Sequence, residues 1–284
     1  MNKNIILTLT TIPGRLHSAY NYDMRYCIES LLNQNGDYNY EVHLNIPNVY
    51  DKTGEEYIIP EWLDLITDPK LKIFRTDDYG SITKLIPTLK RIDDKDTYII
   101  VVDDDIIYHT DLITEHIKNR EKWPDYVVGY DGMRSRNTDG TFANTFKDGR
   151  DYYFTATGTN SLVDILQHYK SVSYIREFFE EDFYEFINTY GIWCDDKTIS
   201  AYMAMKKRGR LATFYENDKI YDTHEEYLAN VRHTFPITKH TDHDHLEGCN
   251  LERGKQFNEI EDVRHNKLFT EFIDFGYKDT TWKV

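Results

Sequence analysis

Tyr98-Ile99-Ile100-Val101-Val102-Asp103-Asp104-Asp105-Ile106-Ile107-Tyr108 sets an unbroken apolar run against three consecutive carboxylates. A β-branched run without a polar break predicts a strand buried on both faces, as the central strands of parallel sheets are. Three carboxylates at its end repel one another and resist desolvation, so the cluster needs a compensating charge or must spread into solvent. The compensator that hard oxygen ligands select is a divalent cation such as magnesium, manganese or calcium. Magnesium takes one or two carboxylates and completes its shell with water and substrate phosphate, which points to a phosphate-bearing substrate. Taken alone, the triplet reads equally well as an acidic loop after a strand, so its neighbours decide.

Upstream, residues 5–11 are largely β-branched and end at Pro13-Gly14, which predicts a buried first strand and a turn. Met24, Cys27, Ile28, Leu31 and Leu32 recur at helical spacing before Asn35-Gly36. Tyr40, Val42, Leu44 and Ile46 alternate with polar residues and predict a half-exposed second strand, and residues 71–74 predict a third. Ile82, Leu85, Ile86 and Leu89 predict a helix that Pro87 would kink. Beyond the triplet, Thr110 is placed to cap a helix carrying Leu112, Ile113 and Ile117, and residues 126–130 predict a fifth strand. This alternation is the pattern of a parallel α/β sheet with right-handed crossovers. Ligands of such sheets bind beyond the carboxyl ends of the strands, where the triplet lies. The second half is less regular. Helices are predicted near 176–188 and 197–207 and a strand over 211–215, while the polar, His-rich chain from Tyr221 onward shows no assignable pattern.

The chain of 284 residues is 40% hydrophobic, with 23 Tyr and 14 Phe, so a sizeable core is available and disorder is not expected. Its formal charge of −15 argues against a nucleic-acid partner, which would need clustered Lys and Arg. Cys27, Cys194 and Cys249 are too scattered for a disulfide framework, which fits a reducing compartment. No stretch reaches membrane-spanning length, so a soluble, cytoplasmic protein is expected. Oligomeric state is not legible.

Four segments in order carry a family resemblance. They are Leu7-Thr8-Leu9-Thr10-Thr11-Ile12-Pro13-Gly14-Arg15 with Ser30-Leu31-Leu32-Asn33-Gln34, then Asp78-Tyr79-Gly80-Ser81-Ile82-Thr83-Lys84-Leu85-Ile86-Pro87, then the triplet with its flanks, then Trp193-Cys194-Asp195-Asp196-Lys197-Thr198-Ile199-Ser200. Together they resemble GT-A fold nucleotide-sugar glycosyltransferases, in particular bacterial and viral members with an Asp-Asp-Asp metal motif. The resemblance covers roughly residues 5–209. It implies an α/β, Rossmann-like, mostly parallel central sheet flanked by helices, with a smaller acceptor-side C-terminal part. A single domain over 1–284 would divide into a nucleotide-sugar half (about 1–130) and an acceptor half with a C-terminal extension (about 131–284).

Each segment has a chemical task. A nucleoside diphosphate leaves only when its charge is neutralised, so such a transferase needs a cation, Mn2+ or Mg2+, and a basic side chain beside the phosphates. The resemblance implies Asp105 as metal ligand, Asp103 as a second ligand nearer the sugar nucleotide, and Asp104 in the same site. Asp103 and Asp105 are two apart and would share one side of an extended chain. Lys84, four residues after Gly80 at a predicted helix start, is placed for phosphate; its other reading is a solvated surface lysine. By the resemblance, Asp78 contacts the base or ribose, and Thr8, Thr10 and Arg15 at the end of the first strand receive the nucleotide. Acids in a first helical turn complement the dipole, but in inverting relatives such a pair supplies the base that deprotonates the attacking hydroxyl. Asp196 is the preferred base, Asp195 the alternative, and Trp193 an apolar platform. In Lys239-His240-Thr241-Asp242-His243-Asp244-His245, His243 or His245 would add an imidazole to the metal. Gly158-Thr159-Asn160 and Asp131-Gly132-Met133-Arg134-Ser135-Arg136 fall where donor or acceptor contacts are expected.

The function expected is transfer of a sugar from a UDP- or GDP-linked donor to a hydroxyl of a glycan or other acceptor; the Asp195-Asp196 pair favours inversion through an Asp base, and retention, which needs no such base, stays open. The rivals are a metal-dependent phosphohydrolase or nucleotidyltransferase and a non-catalytic carbohydrate-binding protein. Sugar nucleotidyltransferases usually open with a glycine-rich loop, and Thr10-Thr11-Ile12-Pro13-Gly14-Arg15 has one glycine.

Overall fold

The computed structural model describes residues 3–17, 24–134, 153–154, 161–190, 195–213 and 235–236. Its strands, in chain order, are β1 (Ile5–Thr10), β2 (Tyr40–Pro47), β3 (Val49–Tyr50), β4 (Glu55–Glu56), β5 (Leu71–Thr76), β6 (Tyr98–Val101), β7 (Ile106–Ile107), β8 (Val127–Gly129), β9 (Gly132–Arg134), β10 (Tyr153–Phe154), β11 (Ser161–Leu162), β12 (Ile165–Leu166), β13 (Val172–Ile175), β14 (Arg210–Ala212) and β15 (Phe235–Pro236). Its helices are α1 (Pro13–Leu16), α2 (Arg25–Leu32), α3 (Glu61–Asp64), α4 (Ile86–Arg91), α5 (Leu112–Lys122), α6 (Asp182–Tyr190) and α7 (Asp195–Met205).

The apolar run of the opening stretch becomes β6, buried along its whole length. It lies mid-sheet, in the order β11-β14-β8-β13-β6-β1-β2-β5. Strands β5, β2, β1 and β6 are mutually parallel, and β8 pairs parallel with β14. Only β13, wedged between β6 and β8, and the two-residue edge strand β11 run against this direction. The fold is therefore α/β with a mostly parallel central sheet flanked by helices, as expected, and strands from both halves of the chain complete it.

Alternate side chains of the central strands face two separate cores. Ile5, Leu7 and Leu9 of β1 and Tyr98 and Ile100 of β6 pack with Cys27, Ile28 and Leu31 of α2 and Leu112 and Ile113 of α5. Ile99 and Val101 of β6 turn the other way, onto Leu89 of α4, Phe183 of α6 and Ile199 and Tyr202 of α7.

Several local expectations change. Pro87 sits in the first turn of α4, after a 3-10 turn at Ile82–Lys84, instead of kinking one longer helix, because its missing N–H is no loss there. Asp111, not Thr110, occupies the N-cap position of α5. The alternation in β2 does not produce an exposed face: β2 lies between β1 and β5, and its polar His43 and Asn45 are buried with partners of their own. The helix predicted from Arg176 begins at Asp182, after a 3-10 turn at Arg176–Phe178. Among the described residues no helix is long and apolar enough to cross a membrane.

Candidate functional site

The parallel strands end at one edge of the sheet, and the chemistry-bearing residues gather there. β6 ends at Val101, and a turn at Asp104 and Asp105 follows before β7. The triplet is thus not extended, which corrects the expectation that Asp103 and Asp105 share a side. Asp103 points to Lys84, whereas Asp104 and Asp105 both meet Arg15 of α1, at 2.5 Å and 3.1 Å. Asp104 is almost fully buried and also accepts a 2.6 Å hydrogen bond from Thr11 Oγ1. Burial pushes the Asp105 carboxyl up to about 6, against the pull of Arg15 and with Asp104 and Asp103 adding repulsion.

Lys84 joins two parts of the sequence. Its ammonium contacts Asp103 and lies 2.9 Å from Asp195, at the start of α7. With Lys84 only 7% exposed, the solvated-lysine reading is excluded. Burial alone would lower its pKa, but Asp103 and Asp195 outweigh that and hold it above the usual lysine range. For Asp195, burial would raise the pKa, yet Lys84 and His168 hold it well below the usual carboxylate range. The segment before Lys84 is fixed by Asp78, which accepts hydrogen bonds from the backbone N–H groups of Asp51 and Gly80, at 3.0 Å and 2.8 Å. Gly80 has φ +61°, a conformation that glycine adopts without strain.

His168 went unnoticed in the sequence. It is fully buried in a 3-10 turn just before β13. Its Nδ1 lies 2.6 Å from Asp196 Oδ1 and 3.0 Å from Asp195 Oδ2, and its Nε2 lies 2.8 Å from Tyr174 Oη. Its backbone N–H also donates to Asp196 Oδ1, at 2.9 Å. Burial alone would depress the imidazole, but its hydrogen bonds to the Asp195 and Asp196 carboxylates raise it to about 9, so at neutral pH it is a cation. His168, Asp195 and Asp196 also have the spacing of a metal-binding group. As arranged here, Nδ1 faces the two acids and Nε2 the Tyr174 hydroxyl, an ion-paired network that a metal ion would enter only by displacing the Nδ1 proton.

Thr8 is fully buried, where its hydroxyl donates to the Lys84 carbonyl and lies 2.8 Å from Thr88 Oγ1. It supports the Lys84 backbone from behind, which corrects its assignment as a nucleotide contact. Thr10 Oγ1 donates to the Asn45 carbonyl at 2.7 Å. Asp131 accepts from the Tyr169 hydroxyl and pairs with Lys170 at 3.2 Å. Tyr108 is buried and ties the triplet to β13's approach: its hydroxyl lies 2.8 Å from the Asp103 N–H and donates to the Tyr169 carbonyl at 2.9 Å. Trp193, Gly158-Thr159-Asn160, Ser135, Arg136, His243 and His245 lie outside the described residues.

Three cations, Arg15, Lys84 and His168, face five carboxylates, Asp103, Asp104, Asp105, Asp195 and Asp196, which leaves a formal excess of two negative charges. The donors are oxygen atoms, the type a hard divalent cation selects, but Asp103 is paired with Lys84 and both Asp104 and Asp105 with Arg15, and among the described residues the group that brings three ligand atoms together is His168, Asp195 and Asp196.

No family model matches the chain, and no curated protein matches it. Among solved structures, 4-diphosphocytidyl-2C-methyl-D-erythritol synthase from Anaerococcus prevotii overlays with a TM-score of 0.47 at 14% identity, covering 81% of this chain and 96% of that one. The 2-C-methyl-D-erythritol 4-phosphate cytidylyltransferase of Francisella tularensis gives 0.43 at 11%, covering 81% and 99%. Overlays at these scores carry no argument about activity.

Proposed function

We propose that this protein is a divalent-metal-dependent transferase that binds a nucleotide through its phosphates at the carboxyl edge of the sheet. The observation that carries this reading is Lys84, whose ammonium bridges the triplet at Asp103 and the acidic pair at Asp195. One buried cation thereby makes a single site from a candidate metal end and a candidate base end.

Asp103 and Asp105 would hold Mn2+ or Mg2+, which supplies charge neutralisation to a diphosphate. Lys84 and Arg15, both at the triplet, would meet phosphate oxygens, while Thr10 at the end of β1 and Asp78 after β5 would receive the nucleoside. The chemistry we favour is glycosyl transfer. Asp196 Oδ1 is held by His168, and its Oδ2 has no hydrogen-bond partner among the described residues. That oxygen would take the proton of an acceptor hydroxyl as the hydroxyl oxygen bonds to the anomeric carbon. The bond from that carbon to the diphosphate breaks, and its electron pair leaves on the phosphate oxygen. A base placed opposite the leaving group gives inversion.

Nucleotidyl transfer is the second reading, because two cations beside a carboxylate cluster also suit a triphosphate. In the turn after β1 the N–H groups of Arg15 and Leu16 are committed to the Ile12 carbonyl and that of His17 to Pro13, so phosphate binding by either reading falls to the side chains of Arg15 and Lys84.

One experiment separates the possibilities. The protein is incubated with Mn2+ and UDP-, GDP-, CDP- or TDP-sugars, or with nucleoside triphosphates and sugar phosphates, and products and thermal shifts are followed. Nucleoside diphosphate release from a sugar nucleotide supports glycosyl transfer, and pyrophosphate release from a triphosphate supports the second reading. Failure of every nucleotide to stabilise the protein, with or without Mn2+, would sink both and leave carbohydrate binding.

A further inference from the structure

We infer that His168 is the positioning residue of the site: it fixes Asp196 in the orientation of a base and holds the two like-charged acids of α7 together. The inference deepens the glycosyl-transfer reading and rests on it.

Adjacent carboxylates on the first turn of a helix repel each other, and an exposed Asp side chain samples several rotamers. Neither freedom remains here. Asp196 Oδ1 receives two donors from one residue, the ring at 2.6 Å and the backbone N–H at 2.9 Å, a chelate that fixes both the position and the plane of the carboxylate. The same ring nitrogen reaches Asp195 at 3.0 Å, so one cation is shared by both acids. Asp195 then continues to Lys84 and through it to Asp103. The separation between the base and the metal end is therefore set by a chain of buried contacts, with His168 at one end.

Imidazole suits this task because its two nitrogens point in different directions. Nδ1 serves the acids, while Nε2 is held by Tyr174 Oη, at 2.8 Å, a residue of β13 that is itself buried. Tyr174 packs in turn against Phe179 at a ring-centroid distance of 5.2 Å. Lysine could provide the charge but not this two-sided anchorage. At 0% exposure His168 does not meet a substrate, which separates its task from that of Asp196.

The test uses the full chain. His168→Asn keeps an amide donor near the Nδ1 position and removes the second anchor and the charge. It is expected to lower kcat about 10- to 100-fold, as a misplaced catalytic group does, with donor KM and Mn2+-nucleotide binding unchanged within about twofold. Tyr174→Phe removes one hydroxyl without changing volume, and a smaller kcat loss with unchanged KM is expected even if His168→Asn folds poorly. The double variant His168→Asn/Asp196→Asn should be no slower than Asp196→Asn alone, because one residue acts through the other. Full kcat in both His168→Asn and Tyr174→Phe, or losses that add in the double variant, would overturn the inference. A wild-type protein inactive with every donor sinks the transferase reading instead. The hold on Asp196 is then read by NMR: a protected, low-field Nδ1–H of His168 that shifts in Asp196→Asn supports it, and absence of that signal overturns it.

Discussion

At the scale of single residues, burial decides what each charge can do. Asp105 is raised to about 6 because burial outweighs Arg15, so protons would compete there with the proposed metal ion as pH falls towards 6. The half-saturating Mn2+ concentration, followed by titration calorimetry, should climb as pH falls below about 6, approaching about tenfold per pH unit. Asp105→Asn should weaken Mn2+ binding at pH 7 by at least about tenfold, and unchanged binding would remove Asp105 as a ligand. His168 makes the opposite contribution to stability. Its folded-state pKa of about 9 exceeds the ordinary 6.5, so the native state retains a proton that the unfolded chain releases. The stabilisation is complete below about pH 6.5 and is lost as pH rises through about 9. Denaturant midpoints should fall over that window in the wild type and fall less in His168→Asn. Cys27 belongs to neither chemistry: burial, with Asp104 and Asp105 nearby, raises its thiol well above the usual range, so slow alkylation is expected.

At the scale of elements, legibility followed locality. β6 could be read because an unbroken Tyr-Ile-Ile-Val run needs no partner to declare itself buried. β13 could not, since Val172-Ser173-Tyr174-Ile175 carries no flanking signal, and nothing in a short strand states its direction. The half-exposed reading of β2 failed for a related reason. Asn45 looks solvent-facing in sequence but bonds Thr8 Oγ1 at 3.1 Å, a partner on another strand. His168 was hidden most completely, because the acids that give it meaning lie 27 and 28 residues further along the chain. Lys84 was legible only through its neighbours in a motif. An element-scale prediction concerns β9. A Cβ at Gly132 would lie 2.7 Å from Val163 Cγ2 and 2.9 Å from the Ile165 carbonyl, and backbone cannot yield cheaply. Gly132→Ala should destabilise the protein by about 1–3 kcal/mol in equilibrium denaturation.

At the scale of the whole molecule, the charge of −15 and the local excess of negative charge at the site point the same way. An acidic protein attracts cations before anionic substrates and has no long-range field to draw in a polyanion. No retention of duplex DNA is expected in a gel-shift assay at physiological salt, and retention would contradict the reading of the charge balance. The antiparallel strand β13 carries a consequence at this scale. Because Val172 pairs with Val101, the chain entering β13 and the chain leaving β6 emerge side by side at the same sheet edge. The spacing between Asp103 and His168 is thus a property of strand register, measured in units of roughly 3.3 Å. Changes of loop length elsewhere leave that ruler intact, whereas a one-residue slip of β13 would move His168 by one division and turn Tyr174 to the opposite face.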